Sequence, residues 1–187
     1  MLASSGCVTV FSGALVVAKA SKQKSAPAAA KSSRPSFPRS VLQFSFAMSL
    51  SEVGNACENS GRLAHVRGAL VDCTAKPGAA DTSDVRIRFS AGKPAQITVI
   101  YHAPRAGLNA QYDALSGSLQ TQYGRAQVPA PKWPAACSAS LAACLAASEH
   151  PGGPVWHWPN GSIEVVPELR DGEALIDLKY TPENPNE

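Results

Sequence analysis

The cysteines are the residues of this chain whose chemistry is most constrained by their number and spacing. Apart from Cys7 near the N-terminus, four remain: Cys57, Cys73, Cys137 and Cys144. An even number in an exported domain is typical of disulfide bonds. A zinc site is disfavoured because the chain has no C-x-x-C pair and its histidines are scattered without ligand spacing. We therefore expect two disulfides and no metal site.

Three pairings of these cysteines are possible. We expect the local pairing, Cys57–Cys73 and Cys137–Cys144, because the first bond would join the end of a helix to the end of a strand. The second bond imposes a condition on the backbone. Seven residues of straight helix separate two α-carbons by about 10 Å, which exceeds the disulfide limit of about 7 Å. Residues 138–143 must therefore be bent, or one of these cysteines pairs elsewhere.

The chain offers little sequence support for enzymatic chemistry. There is no G-x-S-x-G motif for a nucleophilic serine, and the glycines lack the spacing of a phosphate-binding loop. Two carboxylate pairs, Asp81 with Asp84 and Glu164 with Glu168, lie beside turns or on alternating strands, where a solvated face is the simpler interpretation. We therefore expect no enzyme activity and no cofactor.

The tripeptide Trp156-His157-Trp158 is the most suggestive binding motif. On a strand, the two tryptophans share one face and His157 lies on the other, because side chains alternate. The functional interpretation is an aromatic binding face for a sugar or a peptide. The structural interpretation, which we favour, is two core tryptophans beside a surface histidine.

Two helices and six strands are needed to position these residues. The capping box Ser49-Leu50-Ser51-Glu52 predicts a helix over 50–57. Apolar residues at helical spacing, with Asn109 as the N-cap and Gly124 just after the helix end, predict a second helix that ends at Tyr123. Alternating patterns and tight turns predict the strands, over residues 69–73, 85–89, 97–101, 155–158, 163–165 and 174–180. The expected fold is α+β, with a helix followed by antiparallel strands, twice (α-β-β-β-α-β-β-β).

The N-terminal region differs in composition from the rest of the chain. Residues 7–17 are apolar but too short to span a bilayer, and Ala18-Lys19-Ala20 follows the small-x-small pattern of a signal-peptidase site. The sequence before Cys7 imitates a lipidation site, but the apolar run follows this cysteine instead of preceding it. We therefore expect a signal peptide over 1–20, a disordered tail over 21–40 and a single α+β domain over 41–187.

Charge divides the chain in the same place. Residues 1–40 carry six of the 17 Lys and Arg residues and no acid. Residues 41–187 contain the remaining eleven Lys and Arg residues and all 14 acidic residues. The domain is therefore acidic and lacks the basic surface charge of a nucleic-acid-binding protein. The basic tail predicts at most a weak attraction to an anionic envelope surface.

A short motif beginning at the first helix carries a family resemblance. It reads Phe46-x-Met48-Ser49-x-x-Glu52-Val53 and is followed by strands and a helix ending in Tyr123-Gly124. The pattern resembles small exported bacterial envelope proteins, namely the SmpA/OmlA-like outer-membrane assembly lipoproteins and the β-lactamase-inhibitor-like domains. The resemblance implies a non-catalytic module that contacts another envelope protein, and it assigns no functional residue.

Together these features predict an exported, non-catalytic binding or structural protein of the bacterial cell envelope, periplasmic or secreted. The alternative is a small periplasmic hydrolase with an unrecognised site. A bare sheet face bearing aromatic residues would favour the first function. A pocket that gathers histidine and acidic residues would favour the second.

Overall fold

A computed structural model describes residues 35–79, 81–130, 133–147 and 152–183. Four α-helices, of which the last two are short, accompany one 3-10 turn and nine strands in these residues. Their bounds, in chain order, are β1 Ser40–Val41, β2 Phe44–Ser45, α1 Leu50–Asn59, β3 Arg62–Arg67, β4 Leu70–Ala75, β5 Asp84–Ser90, β6 Lys93–Ala103, a 3-10 turn Arg105–Gly107, α2 Leu108–Tyr123, α3 Ala135–Ala139, α4 Leu141–Ala146, β7 Val155–Trp158, β8 Gly161–Arg170 and β9 Glu173–Pro182.

Strands β3 to β9 form one antiparallel sheet in the order β3-β4-β5-β6-β9-β8-β7. The first four strands form a meander, and the last three form a second meander that joins it where β6 pairs with β9. The large antiparallel sheet with helices makes this an α+β fold, as predicted. No helix of the described residues is both long and apolar enough to span a lipid bilayer.

Alternation along the strands gives the sheet two unlike faces, because successive side chains point to opposite sides. The core face carries apolar residues such as Val71, Ile87, Ile97 and Ile176, which are fully buried. They form one hydrophobic cluster with residues of α1, α2 and α4. We call the opposite side, which carries the charged residues of the strands, the open face.

The predicted order α-β-β-β-α-β-β-β is wrong in detail. Helix α1 is followed by four strands, because Arg62–Arg67 forms the edge strand β3. In the sequence, this segment shows no clear apolar alternation. In the structure, its apolar residues Leu63 and Val66 are half exposed, because β3 lies at the sheet edge. In addition, the two short helices α3 and α4 precede the last three strands.

Helix α1 begins at the predicted capping box. The Ser49 hydroxyl accepts a hydrogen bond from the Glu52 amide, and the Ser49 amide donates to Glu52 Oε2 at 2.7 Å. The Ser49 amide and the Ser49 hydroxyl both donate to the Glu52 carboxylate, and these two bonds lower the pKa of that carboxyl. The buried residues Val53 and Cys57 anchor the helix in the core.

Both disulfides follow the predicted local pairing. Cys57 bonds Cys73 across a Cα–Cα distance of 5.5 Å, which joins α1 to β4. Cys137 bonds Cys144 with its α-carbons 4.8 Å apart. The chain meets the condition on this second bond by breaking the helix at Ser140, whose extended backbone separates α3 from α4.

The chain enters the domain earlier than predicted. The predicted tail over 21–40 is wrong for residues 35–40, because Phe37 is only 5% exposed and belongs to the core. Its ring packs against Phe46 and Trp158, and Ser40 pairs with Ser45 between β1 and β2. The predicted signal peptide over 1–20 and the first part of the tail lie outside the described residues.

Candidate functional site

The predicted binding face at β7 is mostly part of the core. Trp156 is 1% exposed, and its indole Nε1 donates to the Gly124 carbonyl at 2.8 Å. Trp158 packs edge-on against Tyr123 and donates to the Pro35 carbonyl at 2.6 Å. His157 lies exposed on the opposite side of the strand. The tryptophans hold β7 to α2 and to the N-terminal segment, and His157 is the exposed member of the predicted binding face.

The open face instead gathers polar side chains from six adjacent strands. One row crosses the sheet from β3 to β8 through directly opposed residues. Its members are His65, Asp72, Arg86, Thr98, Lys179 and Glu164. Asp72 lies opposite Arg86, and Lys179 lies opposite Glu164. Directly opposed opposite charges of this kind stabilise antiparallel strands.

Asp72 on β4 is the centre of the first charge cluster. Its carboxylate accepts hydrogen bonds from Arg67 and from Arg86 Nε, the latter at 2.7 Å. Burial opposes ionisation of Asp72, which is 8% exposed, but the bonds from Arg86 and Arg67 outweigh it and lower the pKa of the carboxyl. Both arginines are thereby fixed in position on the sheet.

His102 on β6 forms the second cluster. Its Nε2 lies 3.0 Å from Asp84 Oδ2, and its Nδ1 lies 3.6 Å from Glu173 Oε2. The Asp84 carboxylate is itself held by the Ala75 amide, which donates to Oδ1 at 2.8 Å. The imidazole thus bridges β5 and β9 with a carboxylate at each nitrogen.

Arg170 on β8 forms the third cluster by pairing with Glu168 and with Asp177, the latter at 3.2 Å. Asp177 is 5% exposed, and burial raises the pKa of its carboxyl. Its Oδ1 has no hydrogen-bond partner among the described residues. The three clusters together cover the open face with charged groups held by the protein's own contacts.

The open face encloses a concavity of about 600 Å³ where the first two clusters meet Arg170. Its charged and histidine lining residues are His65, Arg67, Asp72, Asp84, Arg86, His102, Arg170, Asp171 and Glu173. Thr74 supplies the single hydroxyl side chain among the residues that line it. In the described part of the chain, no group of three or more His, Cys, Asp and Glu side chains is placed to hold a metal ion.

The two carboxylate pairs noted in the sequence, which we interpreted as a solvated face, do not meet in this concavity. Asp81 pairs with the buried Arg62 at 2.5 Å, whereas Asp84 bonds His102. Glu164 lies opposite Lys179, and Glu168 pairs with Arg170. The polar positions of the alternating strands were the available signal for this face, but the sequence does not reveal which strands lie next to one another.

Comparisons with protein-family models, with curated proteins and with solved structures found no match to this chain.

Proposed function

We propose that this chain is an exported, non-catalytic binding protein of the bacterial cell envelope, periplasmic or secreted, whose binding surface is the open face. The observation that carries the proposal is the set of ion pairs that fix Arg67, Arg86 and Arg170 on a solvent-facing sheet. Side chains that are already ordered lose less entropy on binding, which favours affinity. Two disulfides support an oxidising compartment.

The chemistry of the open face favours a protein partner that carries both acidic and basic groups. Arginines and carboxylates alternate on it, so a ligand of one charge would meet repulsion as well as attraction. Complementary charge patterns mainly determine which partner binds and how fast it associates. The five cations of residues 21–40, which remain after cleavage at Ala20, add a weak, non-specific attraction to an anionic envelope surface.

A pull-down from envelope extract with matched charge variants tests this function. Arg88 lies exposed on the open face and makes no side-chain bond in the described residues, so Arg88→Glu changes the surface without breaking a cluster. Arg39→Glu, outside the open face, is the control. We expect the wild type and Arg39→Glu to retain one common partner and Arg88→Glu to lose it. Equal capture by all three chains would overturn the proposal.

A small hydrolase is the second candidate, and the concavity favours it, because it gathers His65 and His102 with acidic side chains, the arrangement expected for this function. An imidazole bonded to Asp84 inside a concavity resembles the base-and-orienter pair that activates a nucleophile or a water molecule. The test is turnover of chromogenic ester and phosphate monoester substrates by the disulfide-bonded chain. A hydrolase would lose this turnover in His102→Gln and keep it in His157→Gln, an exposed histidine outside the concavity. No turnover by the wild type excludes these two reactions and leaves the binding function.

A further inference from the structure

The two edges of the sheet differ in how their backbone groups are covered. At the β7 edge, the Gln127 and Val128 amides donate to the Val155 carbonyl at 3.0 and 3.1 Å, and the Val155 amide donates to the Val128 carbonyl at 2.8 Å. The His157 amide donates to Gln127 Oε1 at 2.6 Å. Residues 127 and 128 thus cover most of the outward backbone groups of β7, and this edge is closed.

The β3 edge has no such cover in the part of the chain that the structure describes. Arg62–Arg67 pairs with β4 over all 6 residues without a bulge. Every second residue of an edge strand directs its amide and its carbonyl away from the neighbouring strand. No described backbone segment outside the sheet forms a hydrogen bond with these groups of β3. They are therefore available for pairing with a further strand.

Two apolar side chains stand at this edge, one on each face of the sheet. Leu63 lies opposite Thr74 on the open face and is 45% exposed, whereas Val66 lies opposite the core residue Val71 and is 51% exposed. A strand added at this edge would cover both side chains. Removing their apolar surface from water would favour its association.

The arginines of β3 do not protect the edge. Natural edge strands are often protected by charged side chains, prolines or bulges. Arg62 is 4% exposed and donates to Asp81 and Ser83, and Arg67 bonds Asp72 on the neighbouring strand. Both side chains are thereby held against the sheet, so neither extends outward across the edge.

Charge at this edge favours an acidic partner. β3 contains no acidic residue, and the exposed side chains of His65 and Arg67 lie on its open-face side. The Asp72 carboxylate is shared by Arg67 and Arg86, so this cluster keeps an excess of positive charge beside the edge. The β3 strand of a second copy would supply no acidic side chain to complement this charge.

We propose that β3 is a docking edge, at which an extended acidic segment of a partner protein adds as an eighth strand of the sheet. In this mode of binding, main-chain hydrogen bonds supply affinity and alternate side chains supply specificity. The acidic side chains of the segment lie on the open-face side, beside His65 and Arg67. Its apolar side chains lie on the other side, beside Val66. The docking edge is separate from the centre of the open face and goes beyond the proposed function.

Amide hydrogen exchange of the full disulfide-bonded chain tests the docking edge, with a capped peptide of alternating valine and glutamate as the probe. At about ten times its Kd, the peptide should slow the exchange of the outward amides of Arg62–Arg67 about tenfold, because the bound edge is protected. The amides of Val155 and His157 at the closed edge are the control and should not change. Unaltered exchange along β3 at millimolar peptide would overturn the inference.

Two N-methylated forms of the peptide test main-chain pairing. One form carries N-methyl groups on its valines, and the other carries them on its glutamates. Because only every second amide of a strand faces its neighbour, we expect one form to lose binding and the other to retain it. Equal binding of the two forms would show that main-chain pairing does not hold the peptide, and the inference would fail.

Charge variants test the chemistry of the partner. A peptide with lysine in place of glutamate should bind at least about fivefold more weakly, because directly opposed like charges destabilise strand pairing. Leu63→Glu adds a negative charge to the exposed edge and should weaken binding of the glutamate peptide about 3- to 10-fold. Leu42→Glu is the matched control, since Leu42 is 52% exposed outside the large sheet. Equal affinities for the two peptides would overturn the assignment to an acidic partner.

Sedimentation of the free chain distinguishes a partner protein from a second copy at this edge. The wild type and Leu63→Glu should sediment alike. A concentration-dependent dimer that Leu63→Glu dissociates would assign the edge to a second copy and overturn the inference. Capture of an envelope partner by Arg88→Glu concerns the open face, so this inference and the proposed function can fail separately.

Discussion

The ring of Phe37 lies directly against Gly161, so closely that a Cβ on residue 161 would come within 2.8 Å of two ring carbons. The same Cβ would lie 2.8 Å from the Thr181 carbonyl oxygen. The hairpin between β7 and β8 is therefore shaped to receive the N-terminal segment, and the domain includes residues 35–40.

Replacing this glycine should destabilise the fold. Gly161→Ala forces Phe37 or the β9 backbone to move, and we expect it to lower the free energy of unfolding by about 1–3 kcal/mol, as overpacking does. Urea denaturation followed by far-UV circular dichroism measures the change. Gly54→Ala is the control, because a Cβ there meets nothing within 4 Å inside helix α1. This change should stabilise the protein by about 0.5–1 kcal/mol, and equal melts for both variants would contradict the packing described.

Removing the ring tests the same contact from the other side. Phe37→Ala should lower the free energy of unfolding by about 3–5 kcal/mol, because it deletes a buried aromatic side chain and leaves a cavity. Leu42→Ala is the matched control, since Leu42 is 52% exposed a few residues further along, and its cost should stay within about 0.5 kcal/mol. A Phe37→Ala variant as stable as the wild type would show that residues 35–40 do not pack on the domain.

The cap and the disulfide of helix α1 should differ in their contributions to stability. Ser49→Ala removes one hydrogen bond at the helix end and should cost about 1 kcal/mol. Cys57→Ser frees a loop in the unfolded chain, where Cys57 and Cys73 are separated by 16 residues, and should cost about 3 kcal/mol. Urea melts under non-reducing conditions give the order. Peptide mapping that joins Cys57 to Cys137 or Cys144 would overturn the pairing.

Stability should depend on pH through Asp72. Its pKa is lowered in the fold, so the ionised carboxylate stabilises the protein above the unfolded pKa of about 3.9, and this contribution is lost as the pH falls through the lower folded pKa. At neutral pH, Asp72→Asn should therefore cost about 1.5–3 kcal/mol, the range for hydrogen bonds to charged groups.

Unfolding free energies measured from pH 7 downwards test the dependence on Asp72. The difference between the wild type and Asp72→Asn should shrink below about pH 4, where the carboxyl of the unfolded chain is protonated. Glu58→Gln, at an exposed position of α1, should change stability little across the range. A constant difference between the wild type and Asp72→Asn at every pH would show that the ion pairs with Arg67 and Arg86 do not form.

Export should leave a defined N-terminus. The apolar run over 7–17 and the sequence Ala18-Lys19-Ala20 predict cleavage after Ala20. N-terminal sequencing of protein recovered from the periplasm or the medium should therefore begin at Ser21. An intact Met1 in a cytosolic fraction would contradict export and, with it, the proposed location of the binding function.

Elements specified by near neighbours could be predicted from the sequence. The capping box involves only Ser49 and Glu52, which are three residues apart. The end of α2 depends on Gly124, which adopts a positive φ. The three C-terminal strands depend on alternating apolar residues and on tight turns. Asn109 is a residue for which prediction from near neighbours failed. Predicted as the N-cap of α2, it lies inside that helix, and its side-chain oxygen accepts from the Leu141 amide at the start of α4.

The sequence by itself thus predicted most of the local elements, favoured the local disulfide pairing and indicated which alternate positions of the predicted strands are polar, because each depends on residues close together in the chain. Only the tertiary structure decided that β6 pairs with β9, that Arg62–Arg67 forms an edge strand and that Phe37 belongs to the core. Those outcomes depend on burial and pairing between segments far apart in sequence. For the same reason, His102 meets both Asp84 and Glu173 only after the two meanders join into one sheet.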